Sequence, residues 1–201
     1  MTLQQPVVRD AVPIFPLRTV LFPGGPLPLR IFEARYVDMV SRCLRQDTTF
    51  GVCLIREGSE VGEAATPHLL GTLAHIVDWE QGQDGLLGIL ALGTERFRIS
   101  RTWLAPDRLR LAEVHVAPSA ATAPLPPQPE DITMLLERIM AMSELGYDHC
   151  TRNDQDAEWL SGRLAEAMPI TLGRKQQLLA MDNPMDRLLA LRALLPQLCL
   201  P

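Results

Sequence analysis

Five prolines fall between Val12 and Leu29, at positions 13, 16, 23, 26 and 28, and they constrain the fold more than any other feature of the chain. Proline lacks a backbone N–H and locks φ. A helix is therefore excluded there, and a central strand is excluded over most of the run. Short extended pieces at sheet edges and turns remain, with Gly24-Gly25 supplying a tight turn among them.

Beyond this run the periodicity predicts one helix and then strands. Phe32, Tyr36, Val40 and Cys43/Leu44 recur at three- and four-residue intervals, predicting a helix from about Glu33 to Arg45. Phe50 to Arg56 is short, apolar and β-branched, as a strand buried on both faces would be. The polar stretch Glu57 to Pro67 reads as a loop. Further strands are expected at Gly71–Trp79, Leu86–Leu92, Arg96–Leu104 and Leu109–Ala117, the second entered through the Asp84-Gly85 turn. Short strands with frequent turns suggest a closed or half-closed antiparallel barrel.

Pro118 to Pro129 then holds five prolines with Ala, Ser and Thr, the composition of a semi-rigid linker. After it the period changes from 2 to 3.6. Ile132, Leu135, Leu136, Ile139 and Met140 form one helical stripe. Ala157, Leu160, Leu164 and Met168 form a second, stopped by Pro169. Leu172 to Met181 makes a third helix, with Thr171 as its cap. Asn183-Pro184 starts a fourth, carrying Leu188, Leu189, Leu191, Leu195 and Leu198. The expected organisation is a β-rich domain over 1–117, a linker over 118–129 and a helical domain over 130–201.

Charge and cysteine usage narrow the function classes. The net charge is −5, with 12 basic and 13 acidic side chains in residues 1–117 and 7 and 11 in the remainder. Neither part has the basic excess that draws in a phosphate backbone or an anionic lipid surface. No segment approaches the ~20 apolar residues that span a bilayer, and Met1 to Pro6 lacks the basic-then-apolar pattern of a secretory signal. Cys43, Cys53, Cys150 and Cys199 include no CxxC pair and sit in or near apolar stretches. Reduced, buried thiols in a cytoplasmic protein are expected.

The order of motifs resembles one known family. Pro16-Leu-Arg-Thr-Val-Leu-Phe-Pro-Gly24 and Pro28-Leu-Arg-Ile-Phe-Glu-Ala-Arg-Tyr36 are similar to the opening of the substrate-binding N-terminal domain of Lon-type proteases. Phe50-Gly-Val52, Gly71-Thr-Leu-Ala74 and Gly93-Thr-Glu-Arg-Phe-Arg-Ile99 match its later landmarks in order. Leu164 to Pro169, Lys175 to Leu179 and Pro184 to Leu195 resemble, more loosely, the helical region of stand-alone bacterial members. Ala34 stands where the family often has proline. The resemblance implies an α+β fold: a PUA-like β pseudo-barrel with one packed helix, then a C-terminal α-helical bundle. It also implies binding of unfolded or extended polypeptide, with a separate protease as one form of partner.

Catalytic chemistry is not expected. A nucleotide-binding loop needs GxxxxGK[ST], and the only lysine, Lys175, has no glycine-rich loop before it. The Ser–Lys peptidase signature is missing as well. His75 and His115 read as satisfied histidines beside the core. Tyr147-Asp-His-Cys150, with Asp154 and Asp156, has neither zinc nor calcium spacing, so no metal or cofactor is expected. Asp78, Glu80 and Asp84 belong to a hairpin turn and Glu95 to another turn, while Glu33 and Arg35 anchor the first helix. Leu21, Phe22 and Pro23 are the candidate polypeptide hold: proline stiffens the segment, and an edge position would leave Phe22 accessible for apolar contact and strand addition. Two alternatives remain open. One is RNA binding by Arg96, Arg98, Arg101, Arg108 and Arg110 clustered on neighbouring strands; the other is a small-ligand pocket.

Overall fold

The computed structural model describes residues 7–82, 84–117, 134, 136–137, 147, 150, 152–153 and 155–194. The expected linker at 118–129, most of the stripe from Ile132 to Met140, His149, Asp154 and Cys199 lie outside the described residues. Among those described, a mostly antiparallel sheet of seven strands is joined by four helices.

Strand β1 (Val7–Leu17) pairs antiparallel with β7 (Arg110–Val116) and parallel with β3 (Phe50–Glu57). β7 pairs with β6 (Leu87–Leu104), β6 with β5 (Leu70–Gln81), and β5 with β3. The circuit thus returns to β1 and the sheet closes on itself. β2 (Pro26–Ile31) lies off the circuit along β6, and β4 (Thr66–Pro67), in the stretch read as loop, pairs with β3.

Two expectations are corrected here. Pro13 and Pro16 sit in a strand paired on both sides, not at an edge. The two pairings are staggered: β7 runs along Val7 to Ile14, and β3 takes over from Ile14 to Leu17. At either proline only one flank is paired, so the missing N–H can face the unpaired flank. The strands expected at Leu86–Leu92 and Arg96–Leu104 are one continuous 18-residue β6. Gly93 does not interrupt it; a Cβ there would stand 2.4 Å from the Phe22 carbonyl oxygen. Glycine permits the close approach, and Gly93 exchanges backbone hydrogen bonds with Gly24 and Gly25. Glu95, read as a turn residue, is consequently within the strand, 3.4 Å from Arg9.

Helix α1 (Ala34–Gln46) has Glu33 at its N-cap position and Ala34 at its first helical position, where proline is also tolerated. It buries Tyr36, Met39, Val40 and Cys43 against the sheet. Tyr36 stacks on Phe15 with ring centroids 3.9 Å apart. Phe32, expected on the buried stripe, lies outside the helix and is 57% exposed. Arg35 is buried, 2.8 Å from Glu33 and donating to the Arg108 carbonyl, and so ties the helix to the β6–β7 loop.

The C-terminal helices are α2 (Ala157–Ala167), α3 (Leu172–Leu179) and α4 (Pro184–Arg192). Their starts follow capping chemistry: the side chains of Asp156, Thr171 and Asn183 each accept from a backbone N–H in the first turn. Trp159, Leu160, Leu164, Leu178, Leu188 and Leu191 form one apolar cluster with Val20, Phe22 and Leu54 of the β region. The two parts of the chain therefore share a core.

Candidate functional site

Leu21 and Phe22 are 3% and 0% exposed, and Pro23 is half-buried. The accessible aromatic expected from the sequence is thus corrected: α2 covers the segment and Phe22 lies in the shared apolar cluster. A polar frame holds it there. The Phe22 N–H donates to Glu166 Oε1 at 3.0 Å, and Arg163 Nη2 donates to the Pro23 carbonyl at 3.0 Å. The Arg163 and Glu166 side chains are themselves 3.0 Å apart. Gly24 takes φ +74°, and a Cβ on Gly25 would stand 2.0 Å from Glu166 Oε1, so the Gly-Gly pair is needed for both turn and approach.

Burial pushes the Glu166 carboxyl above its usual range, and the Arg163 guanidinium, the Phe22 N–H and Lys175 only partly offset this. Lys175 donates to the Glu166 carbonyl at the end of α2 and is held below its usual range by the same burial. The chain's one lysine is thus a structural cap. Nearby, Arg187 is wholly buried and donates to the carbonyls of Leu178 and Met181, with Glu158 3.1 Å away. Arg96 donates to the carbonyls of Leu179 and Met181. Two cations therefore close the C-terminal end of α3, where the helix dipole is negative. Sequence reasoning missed Arg163 and Arg187. Helical spacing could have flagged both, since Arg163 is four residues after Trp159 and Arg187 four before Leu191.

The arginines proposed to form a basic patch are dispersed. Arg96 is buried at α3, Arg101 lies over Trp103 and 3.9 Å from Glu113, and Arg110 donates to Ala64, Ala65 and Thr102. His75 lies 3.8 Å from Asp47. Among the described residues no group of three or more His, Cys, Asp or Glu side chains is placed to hold a metal.

An apolar groove of about 230 Å³ lies instead between β2, the start of α1 and the loop after β3. Its floor is Phe15, Leu17, Ile31 and Tyr36, all buried, and at its rim Phe32 and Val61 are 57% and 53% exposed. The loop wall is held in place by Glu60, which accepts from the Arg18 backbone N–H, and by the Arg18 side chain, which donates to the Gly58 carbonyl. A second recess of about 520 Å³ lies at the far end of α1. Its charges have local partners, Arg9 with Glu95 and Arg42 with Asp107, and among the described residues no large exposed apolar side chain lines it.

Comparison with known proteins identifies the fold. Residues 11–197 match the family described as the ATP-dependent protease La (LON) substrate-binding domain. Lon protease 2 of Herpetosiphon aurantiacus is 28% identical over 196 residues, covering 92% of this chain and 24% of that one. Protein cereblon of Danio rerio is 31% identical over 111 residues, covering 53% and 25%. The chain thus spans about a quarter or less of the length of these relatives. The crystal structure of a Lon N-terminal domain protein from Xanthomonas campestris superposes with a TM-score of 0.75 at 34% identity, covering 92% of this chain and 98% of that one. Among the described residues no helix is long and apolar enough to cross a membrane. The chain belongs to the Lon substrate-binding domain family.

Proposed function

We propose that this chain is a non-catalytic module that holds unfolded or extended polypeptide in the groove between β2 and α1. The observation that carries the reading is the apolar floor of Phe15, Leu17, Ile31 and Tyr36, open to solvent beside Phe32 and Val61. Exposed apolar side chains beside a preformed groove suit apolar anchors of a client chain. On this reading the present residues bind the client and take no part in ATP-driven unfolding or peptide-bond cleavage, and a separate protease is one form of partner that receives it. The closed sheet then corresponds to a PUA-like pseudo-barrel, the helices to a C-terminal bundle, and the setting to the cytoplasm.

Side chains, rather than strand addition, supply the grip. Gly25 and Gly93 are hydrogen-bonded across the β2–β6 register, so alternation turns Pro26, Pro28 and Arg30 toward the free edge of β2. Two of those three positions have no N–H to offer. On β5, the N–H of Trp79 is taken by the Asp78 carboxylate at 2.8 Å. A small-ligand site in this groove is less well supported, because about 230 Å³ falls below the ~300 Å³ at which such pockets usually begin.

The test is anisotropy titration with a labelled, permanently unfolded casein. Binding should persist as salt is raised, because apolar contact is not screened, and Val61→Asp should weaken it. Absence of binding, or binding indifferent to Val61→Asp and Phe32→Ala together, would overturn the reading.

A further inference from the structure

A recess of about 400 Å³ opens where β3, β5 and β6 meet α3. Arg56, His68, Arg98 and Gln177 line it, the exposed Leu69 stands beside them, and among the described residues no carboxylate does. This is unusual company in a chain of net charge −5. The Arg98 side chain has no ion pair or hydrogen bond among the described residues, in contrast with that of Arg96 two positions earlier. Arg56 is 3.4 Å from the exposed Glu57, a screened surface pair that leaves other N–H donors available. Gln177 Oε1 accepts from Arg174 at 3.0 Å, so its amide can present an N–H. Gln176 donates to the Leu70 carbonyl at 3.0 Å and pins α3 against β5, which gives the recess a fixed wall.

We propose that this recess takes a carboxylate of the bound polypeptide, either its C-terminal carboxylate or an Asp or Glu side chain. Two guanidinium forks match the two oxygens of a carboxylate, and Leu69 offers apolar contact to the client residue next to it. The inference rests on the polypeptide-binding reading and deepens it. The chain between β3 and β5 joins the two places: Glu60 and Val61 wall the groove, while His68 and Leu69 line the recess. Nucleic acid fits less well. A phosphate backbone needs a track of cations, and two of the neighbouring arginines, Arg96 and Arg110, are engaged within the protein.

The experiment uses the unaltered full chain and labelled peptides of one apolar sequence, made with a free C-terminal carboxylate or an amide, and with an internal Asp or Asn. The carboxylate forms should bind about five- to tenfold more tightly at low salt. That preference should disappear in Arg56→Gln/Arg98→Gln, whose substitutions are at exposed positions. The terminal and internal pairs show which source of carboxylate is preferred, and a preference for either supports the proposal. Equal binding of all forms, with Val61→Asp still weakening every one, overturns the recess and leaves the groove standing. Failure of every peptide to bind overturns both. A carboxylate preference that survives the double substitution also overturns the recess, as does an RNA oligomer whose retention depends on Arg98 while peptide binding does not.

Discussion

The backbone N–H of Phe22 donates to the Glu166 carboxylate at 3.0 Å, joining residues 144 positions apart. That bond, with Arg163 on the Pro23 carbonyl, fastens α2 to the proline-rich segment of the β region. It also explains why Leu21 and Phe22 are closed to solvent.

Removing Arg163 leaves the buried Glu166 carboxylate with only the Phe22 N–H and Lys175 to offset its charge. Arg163→Met should destabilise the chain by about 3–5 kcal/mol, and Glu166→Gln added to it should recover part of the loss. Urea unfolding measures both. A loss below about 1 kcal/mol for Arg163→Met would show that the buried pair contributes little.

The raised Glu166 carboxyl also makes stability depend on pH. Its ordinary value is 4.5, and burial lifts it in the folded state. Between the two values the folded chain binds more protons than the unfolded one, so its stability contribution is full below 4.5 and is lost as pH rises through the folded value. Stability curves of wild type and Glu166→Gln across that window should differ in slope, with the fall missing from the variant. Parallel curves would contradict this.

Two glycines should respond in opposite directions. A Cβ on Gly93 meets the Phe22 backbone at 2.4 Å, whereas one on Gly173, within α3, meets nothing within 4 Å. Gly93→Ala should destabilise by about 2 kcal/mol or more through forced backbone shifts. Gly173→Ala should stabilise by about 0.5–1 kcal/mol through helix propensity and a less free unfolded chain. Thermal midpoints moving the same way for both would refute the packing described around Gly93.

Groove and buried segment can be separated by client binding. Phe22→Leu keeps most of the buried volume and should leave casein affinity unchanged, although it lowers stability by about 1 kcal/mol. Phe32→Ala, at an exposed position, should weaken binding and barely alter the urea midpoint. The reverse pattern would return the hold to Leu21–Pro23.

Thiol reactivity reports the core. Burial pushes the thiols of Cys43 and Cys53 up, Cys53 the furthest, and both are nearly inaccessible. Neither should react with iodoacetamide at pH 8 until the chain unfolds, which peptide mapping by mass spectrometry would show. Rapid labelling of Cys53 in the native chain would mean that the β core opens locally.

Local chemistry in the sequence determined much of this protein. The Asn183-Pro184 start and the Thr171 cap appear as read, and the apolar spacing of Tyr36, Val40 and Cys43 placed α1 to within a residue at each end. Ordered motifs through Ile99 carried the family. These features depend on residues within a turn or two of one another, so a linear reading reaches them.

Tertiary structure alone decided which apolar surface stays open. Phe22 and Phe32 stand on either side of β2, and the local reading gave the reverse of what is found, with Phe22 accessible and Phe32 on a buried stripe. One is buried because α2 arrives with Arg163 and Glu166 to satisfy the backbone around it; the other lies at a groove rim that no described helix covers. Burial depends on what packs from far along the chain, and so do the prolines accepted inside β1 and the continuity of β6 through Gly93.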